Sequence, residues 1–211
     1  MREGAGGAGG PGGDGGGDVR EWEAVEAAAR EVGPGAGGVL YLPYGAEAGE
    51  RAPFADVHAS AAWLGMSTST TPAQLLRSVY EGLALAPREC QEALAHEGTL
   101  RVCGGAAASD LLCQTLADVT GSVAERPLAQ EVGTRGAAAI ALCAVSDTGL
   151  AGVSASPLGD TDVFRPDPAL AAFHDAQFRT FTAVRDALRP GRPALRQLRE
   201  PRRGAASPDV P

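Results

Sequence analysis

The sequence predicts an α/β fold, and three observations lead there. Residues 99–103 and 122–126 are short runs rich in strand formers. Between them lie Gly104-Gly105 and then Leu111, Leu112, Thr115, Leu116 and Val119 at helical spacing. Long amphipathic stretches stand on either side of this unit, and strands that alternate with helices build parallel sheets.

Residues 1–17 are mostly glycine, a composition that cannot repay its ordering entropy, so a disordered tail is expected there. Asp18 can cap a helix reaching about Val32, with Trp22, Val25 and Ala29 on one face. Residues 33–38 are rich in glycine but lack the Lys-Ser/Thr of a phosphate loop and lead into a strand, so they read as a linker turn. Residues 39–42 form that strand, and a loop with Glu47, Glu50 and Arg51 follows over 43–54. Residues 59–64 are expected to pack beneath the loop, anchored by Trp63.

Thr71-Pro72 opens a helix by a hydroxyl cap and a proline in the first turn. Leu75, Leu76, Val79, Tyr80, Leu83, Cys90 and Leu94 mark its apolar side, and Pro87 is expected to bend or interrupt it. Gly104-Gly105 lets the chain turn out of the strand at 99–103, and Ser109 and Asp110 are good caps for the next helix. A strand that enters a helix through small residues leaves N–H groups at the helix start, suited to an anion or to close packing. Pro127 ends the second strand, 131–145 is a small-residue helix, 149–162 is loop, and 168–188 is a last helix. Residues 190–211 are basic, rich in proline and expected to fray.

Composition narrows the function. The chain has 211 residues and a net charge of −8, which argues against nucleic-acid or acidic-membrane partners. No apolar run is long enough to span a bilayer, so a cytoplasmic address is expected. Cys90, Cys103, Cys113 and Cys143 form no CxxC pair and are expected to be buried free thiols. His58, His96 and His174 lack metal-ligand spacing, so no metal site is assigned.

Several segments together resemble one family. Tyr44, Gly49-Glu50-Arg51-Ala52-Pro53, the Arg77–Gly82 helix, Gly104-Gly105-Ala106-Ala107-Ala108-Ser109, Gln114, Ala117-Asp118 and Gly136-Ala137-Ala138 occur in the order of the FGGY carbohydrate kinases. Arg165-Pro166-Asp167-Pro168 looks most like the erythritol kinase branch. The resemblance implies a ribonuclease H-like, actin-like ATPase architecture, here an incomplete C-terminal domain over 18–189 with two parallel strands and packed helices. It implies ATP and Mg²⁺ as cofactors and a sugar or polyol as phosphate acceptor. Gly104, Gly105, Ala106 and Ser109 would face adenosine, Glu50 and Arg51 would lie at the interdomain cleft, and Ala108 stands where the family has Lys.

The same resemblance sets an expectation about what lies elsewhere. The family's Asp-Gln motif, which supplies the catalytic base, and its two phosphate-binding turns find no match in these residues. No catalytic residue is therefore assigned, the Mg²⁺ ligands are expected outside this chain, and a missing N-terminal kinase half is a possible partner. Two functions stand: the C-terminal part of a sugar or polyol kinase, and a catalytically inactive nucleotide-binding or interaction module derived from one. Without the strands that precede it in the family, the strand at 99–103 should keep one unpaired edge.

Overall fold

The structure is a computed structural model that describes residues 15–128, 132–145 and 160–199. The expectations for 1–14, for 146–159 of the loop and for 200–211 lie outside the described residues. Helix α1 (Gly15–Val32) starts before the Asp18 cap. It buries Ala29 and leaves Trp22 and Val25 largely exposed. A short 3-10 turn at Ala36–Gly38 leads into β1 (Leu40–Leu42), which pairs antiparallel with β2 (Ala62–Leu64). Trp63 is not the expected anchor: it is about half exposed and stacks on Tyr41 across the ladder, with ring centroids 4.8 Å apart.

Helix α2 (Pro72–Leu94) is the central support. Thr71 and Gln74 form a reciprocal capping box at its start, as the Thr-Pro signal predicts. The helix runs through Pro87 without ending. Its buried side is not the expected leucine stripe, since Leu83 and Leu94 are exposed. The buried side holds Arg77, Ser78, Tyr80, Glu81, Gly82, Ala84 and Leu85. Gly82 is required there: a Cβ would lie 2.4 Å from the Tyr41 carbonyl oxygen, so β1 can approach the helix only over a glycine.

A charged cluster fills the space around that side. One Glu81 carboxylate oxygen accepts from Arg77 Nε at 2.9 Å and from the Gly35 N–H at 2.8 Å. The other oxygen accepts from the Gln177 amide, leaving the Gln177 carbonyl to accept from His174 Nδ1 at 2.9 Å. The glycine-rich turn at 33–38 is thus pinned by a protein carboxylate, in keeping with its reading as a linker rather than a phosphate loop.

The second sheet has the order β3-β4-β5. Strand β3 (Leu100–Arg101) runs parallel to β4 (Ala124–Pro127), as expected, with Leu100 opposite Ala124. Strand β5 (Thr161–Phe164) adds antiparallel to β4 and corrects the reading of 149–162 as loop throughout. Among the described residues β3 is an edge strand with one side unpaired. Helix α3 (Asp110–Thr120) joins β3 to β4 and buries Leu111, Leu112, Thr115, Leu116 and Val119, the predicted face. Helix α4 (Val132–Val145) buries no residue, and a Cβ at Gly136 would meet nothing within 4 Å, so no close approach occurs there.

Helix α5 (Ala171–Leu188) closes the core with Phe178 and Phe181, which pack with Leu42, Tyr44, Ala84, Leu85, Leu116 and Val119. The Gln114 amide donates to the Arg165 carbonyl at 2.8 Å, and Asp118 accepts from the Asp167 N–H at 2.9 Å, so α3 anchors the chain entering α5. Residues expected to fray from 190 onward instead carry helix α6 (Arg192–Arg199), whose Arg192 is buried against Asp56.

Candidate nucleotide site at the β3–α3 turn

Two parallel strands joined through a helix leave open ground beyond their carboxyl ends, and ligands of open α/β sheets bind there. The ladder persists one residue past β3, where the Val102 N–H donates to the Glu125 carbonyl at 2.8 Å. Gly104 then takes φ +96° and ψ 177°, a region open in practice only to glycine. A 3-10 turn over Gly105–Ala108 follows, and Ser109 caps α3 by accepting from the Leu112 N–H at 3.0 Å. Burial thus draws α3 inward by its apolar face, while Gly104 turns the backbone outward.

A hollow of about 840 Å³ opens on this turn. Cys103, Gly104, Gly105, Ala107, Ala108 and Arg126 help to line it, and Val132 and Gly133 at the start of α4 close one side. Its size falls in the usual range for small-molecule pockets. A Cβ added at Gly104 or Gly105 would meet no atom within 4 Å, so both backbones face open space. A second hollow, about 660 Å³, sits at the amino ends of β3 and β4 around Gly98, Thr99, Gly121 and Ser122; strand direction favours the first.

Sequence reasoning missed Arg126, the residue that locks the turn. Its guanidinium donates to the Ala107 and Ala108 carbonyls at 2.9 and 3.3 Å. It also pairs with Asp110 at 2.8 Å and Asp162 at 2.6 Å, and lies over the Phe164 ring. The hydrogen bond to Asp162 holds its proton even more firmly than usual, opposed by partial burial and helped by Asp110. One cation therefore ties β4, β5 and the turn together. The missed signal was the Glu-Arg pair at the end of a strand, since an arginine there can reach carbonyls at a neighbouring helix start.

The predicted residues separate into two places. Gly104 and Gly105 line the hollow. Ala106 follows them without the positive φ that would strain a non-glycine residue. Ser109 points elsewhere: its hydroxyl caps α3 and donates to Glu26 of α1. Glu50 and Arg51 lie on the 43–59 loop and are not among the residues lining the hollow; Glu50 Oε1 accepts from the Arg51 N–H at 2.8 Å. Among the described residues, no group of three or more His, Cys, Asp or Glu gathers into a metal-binding set. No helix among them is long and apolar enough to cross a membrane.

The cysteines are free but not all buried. Cys113 is buried, and burial pushes its thiol up; Cys103 is exposed beside Gly104 because the strand has already left the core there. Native protein should therefore label with a thiol reagent first at Cys103, while Cys113 reacts slower by on the order of 10³-fold or more, through unfolding. Peptide mapping after timed labelling checks this, and equal rates at the two positions would refute the placement of the turn.

The turn, the hollow and the strand direction define an α/β module with open ground beyond the carboxyl ends of β3 and β4. The family described as the FGGY family of carbohydrate kinases, C-terminal domain, matches residues 15–145. The chain belongs to that family. It is 36% identical over 160 residues to the erythritol kinase of Brucella abortus, covering 73% of this chain and 30% of that protein. It is 40% identical over 120 residues to a glycerol kinase of a Synechocystis species, covering 54% of this chain and 24% of that protein. The solved xylulose kinase of Rhodospirillum rubrum superposes with a TM-score of 0.64 at 29% identity, over 82% of this chain and 35% of that one. The chain thus spans between 24% and 35% of the length of these relatives, and the actin-like ATPase fold expected from the motifs is the fold of its neighbours.

Proposed function

We propose that these residues form the adenosine-binding part of an ATP-dependent kinase that phosphorylates a hydroxyl of a sugar or polyol. The observation that carries the reading is the Gly104-Gly105 turn, open to the 840 Å³ hollow beyond the carboxyl ends of β3 and β4. The adenosine moiety fits this setting: the backbones of Gly104 and Gly105 can approach its face without side chains between, and Ala106, which follows them, would shape the turn. Ser109 would reach the ligand only by exchanging its bond to Glu26. Mg²⁺, bound with the phosphates, would neutralise charge developing on them. No residue of this chain is assigned to it. Identity to an erythritol kinase favours a short polyol as acceptor. Four free cysteines accord with a reducing, cytoplasmic setting.

A second reading keeps the nucleotide and drops the chemistry: an inactive nucleotide-binding or interaction module. Among the described residues, none that lines the hollow is a carboxylate able to serve as a base. The 211 residues alone should give no erythritol-, glycerol-, xylulose- or ribulose-dependent ADP release, since base catalysis contributes ~10²–10⁴-fold and positioning more. Release well above background would mean that a carboxylate of this chain acts as the base.

ATP titrated by NMR into the folded chain tests the site itself. Wild type should bind in the millimolar range, about −4 kcal/mol. Gly105→Val should fold, because its side chain enters open space, and should bind about tenfold or more weakly because that space is the ligand's. Ala108→Lys should bind as well or better, adding an ammonium at the rim of the hollow. A folded Gly105→Val that binds ATP as wild type does would reduce Gly104-Gly105 to a packing turn.

A further inference from the structure

The segment after the matched residues 15–145 reaches back to the loop that carries Glu50 and Arg51. Arg192, in the first turn of α6, is only 3% exposed. Its guanidinium donates to Asp56 Oδ2 at 2.8 Å and to the Arg185 carbonyl at 3.2 Å, and it lies 5.7 Å from the centre of the Tyr44 ring. One turn on, Arg196 donates to the carbonyls of Glu47 and Val57. Arg185 of α5 covers the Phe54 ring at 5.0 Å and pairs with Glu89 of α2. Three arginines from α5 and α6 thus hold the 44–57 loop at both of its limbs.

At the loop's two limbs Tyr44 and Phe54 pack into or against the core, and between them a turn bond joins the Gly49 N–H to the Ala46 carbonyl at 3.0 Å. The loop backbone makes one two-way bridge, Glu50 N–H to Asp56 carbonyl at 2.9 Å and Asp56 N–H to Glu50 carbonyl at 3.0 Å. Arg51 and Ala52 are exposed at its tip. Asp56 is therefore both the base of the bridge and the anchor of the clasp. Arg192 draws the Asp56 carboxyl below the usual carboxylate range, chiefly through their hydrogen bond, so the pair stays ionised at neutral pH.

We infer that α6 is a clasp and that Arg192 is a positioning residue, fixing through Asp56 the loop that presents Glu50 and Arg51. The inference that this loop faces the cleft rests on the kinase reading; the clasp itself does not. Without Arg192, a buried carboxylate loses its only guanidinium partner among the described residues, and the bridge loses its fixed end. The loop then opens locally while the sheet, which Arg192 does not touch, stays closed.

Amide hydrogen exchange on the full 211-residue chain tests this. In Arg192→Met, the Glu50 and Asp56 amides should exchange about tenfold or more faster than in wild type. The Leu100 and Val102 amides, bonded within the β3–β4 ladder, should exchange at wild-type rates. Arg192→Lys, which keeps a cation within reach of Asp56, should restore part of the protection. Asp56→Asn, altered from the loop side, should repeat the pattern and serves if Arg192→Met does not fold. Unchanged protection at Glu50 and Asp56 in a folded variant would overturn the clasp. A loss spread equally over the loop and the ladder would overturn it too, making Arg192 a general stabiliser. The outcome is independent of the ATP titration at Gly105, so either result can fail without the other.

Discussion

Glu81→Ala should destabilise the protein by about 3–5 kcal/mol, the usual cost of stripping one partner from a buried ion pair. Arg77, 5% exposed, would keep its charge with no carboxylate beside it. The Gly35 N–H and the Gln177 amide would lose their acceptor at the same time, so the 33–38 turn, α2 and α5 all loosen at one point. Urea denaturation followed by circular dichroism measures the change. The double variant Arg77→Met/Glu81→Leu separates causes: apolar side chains of similar volume often replace a buried pair with little loss. If the single change costs under about 1 kcal/mol, the cluster is not holding these helices together.

Phe181→Ala should cost a comparable amount, about 3–5 kcal/mol, for a different reason. The ring is fully buried where the 43–59 loop, α2, α3 and α5 meet, 6.2 Å from the Tyr44 ring. Removing it leaves a cavity bounded by four elements that cannot all relax inward. Against a total of about 5–15 kcal/mol for a domain, the loss brings the variant near unfolding at ambient temperature. Phe181→Leu should retain most of the stability, and a shift in denaturation midpoint between the two variants reads the cavity contribution. Gln177 and Phe181 share one face of α5, so the Glu81 and Phe181 losses should not add simply.

The parts of this architecture legible in the sequence are those with local causes. Thr71-Pro72 and Ser109 cap the helices they announce, because a hydroxyl needs only its own next residues to do so. The apolar face of α3 is read correctly since nothing polar competes on it. On α2 the same reasoning fails. A leucine stripe has the right period, yet the core lies on the side of Arg77 and Glu81, whose partners are 46 and 96 residues away. Periodicity finds an amphipathic helix but cannot see a salt bridge that makes its charged side the buried one. Strand β5 escaped because its four residues gain their ladder only from β4. Cys103 was read as buried from its apolar neighbours, but Gly104 turns the chain out of the core one residue later. At the candidate site, Gly104 and Gly105 were visible as a motif, whereas Arg126 was not, because its role depends on partners drawn from the turn, α3 and β5.

The Arg192–Asp56 contact also bears on the order in which the chain is made. Its two residues are 136 positions apart. A ribosome adding roughly 5–20 residues per second reaches Arg192 about 7–27 s after Asp56 has been synthesised. The β3–α3–β4 unit is complete long before then and closes through contacts at most a few tens of residues apart, whereas the loop waits for the last helix. Translation therefore yields the Gly104-Gly105 turn first and the fastened loop last, so a nascent chain stalled before Arg192 should carry an assembled turn and an unfastened Glu50–Arg51 tip.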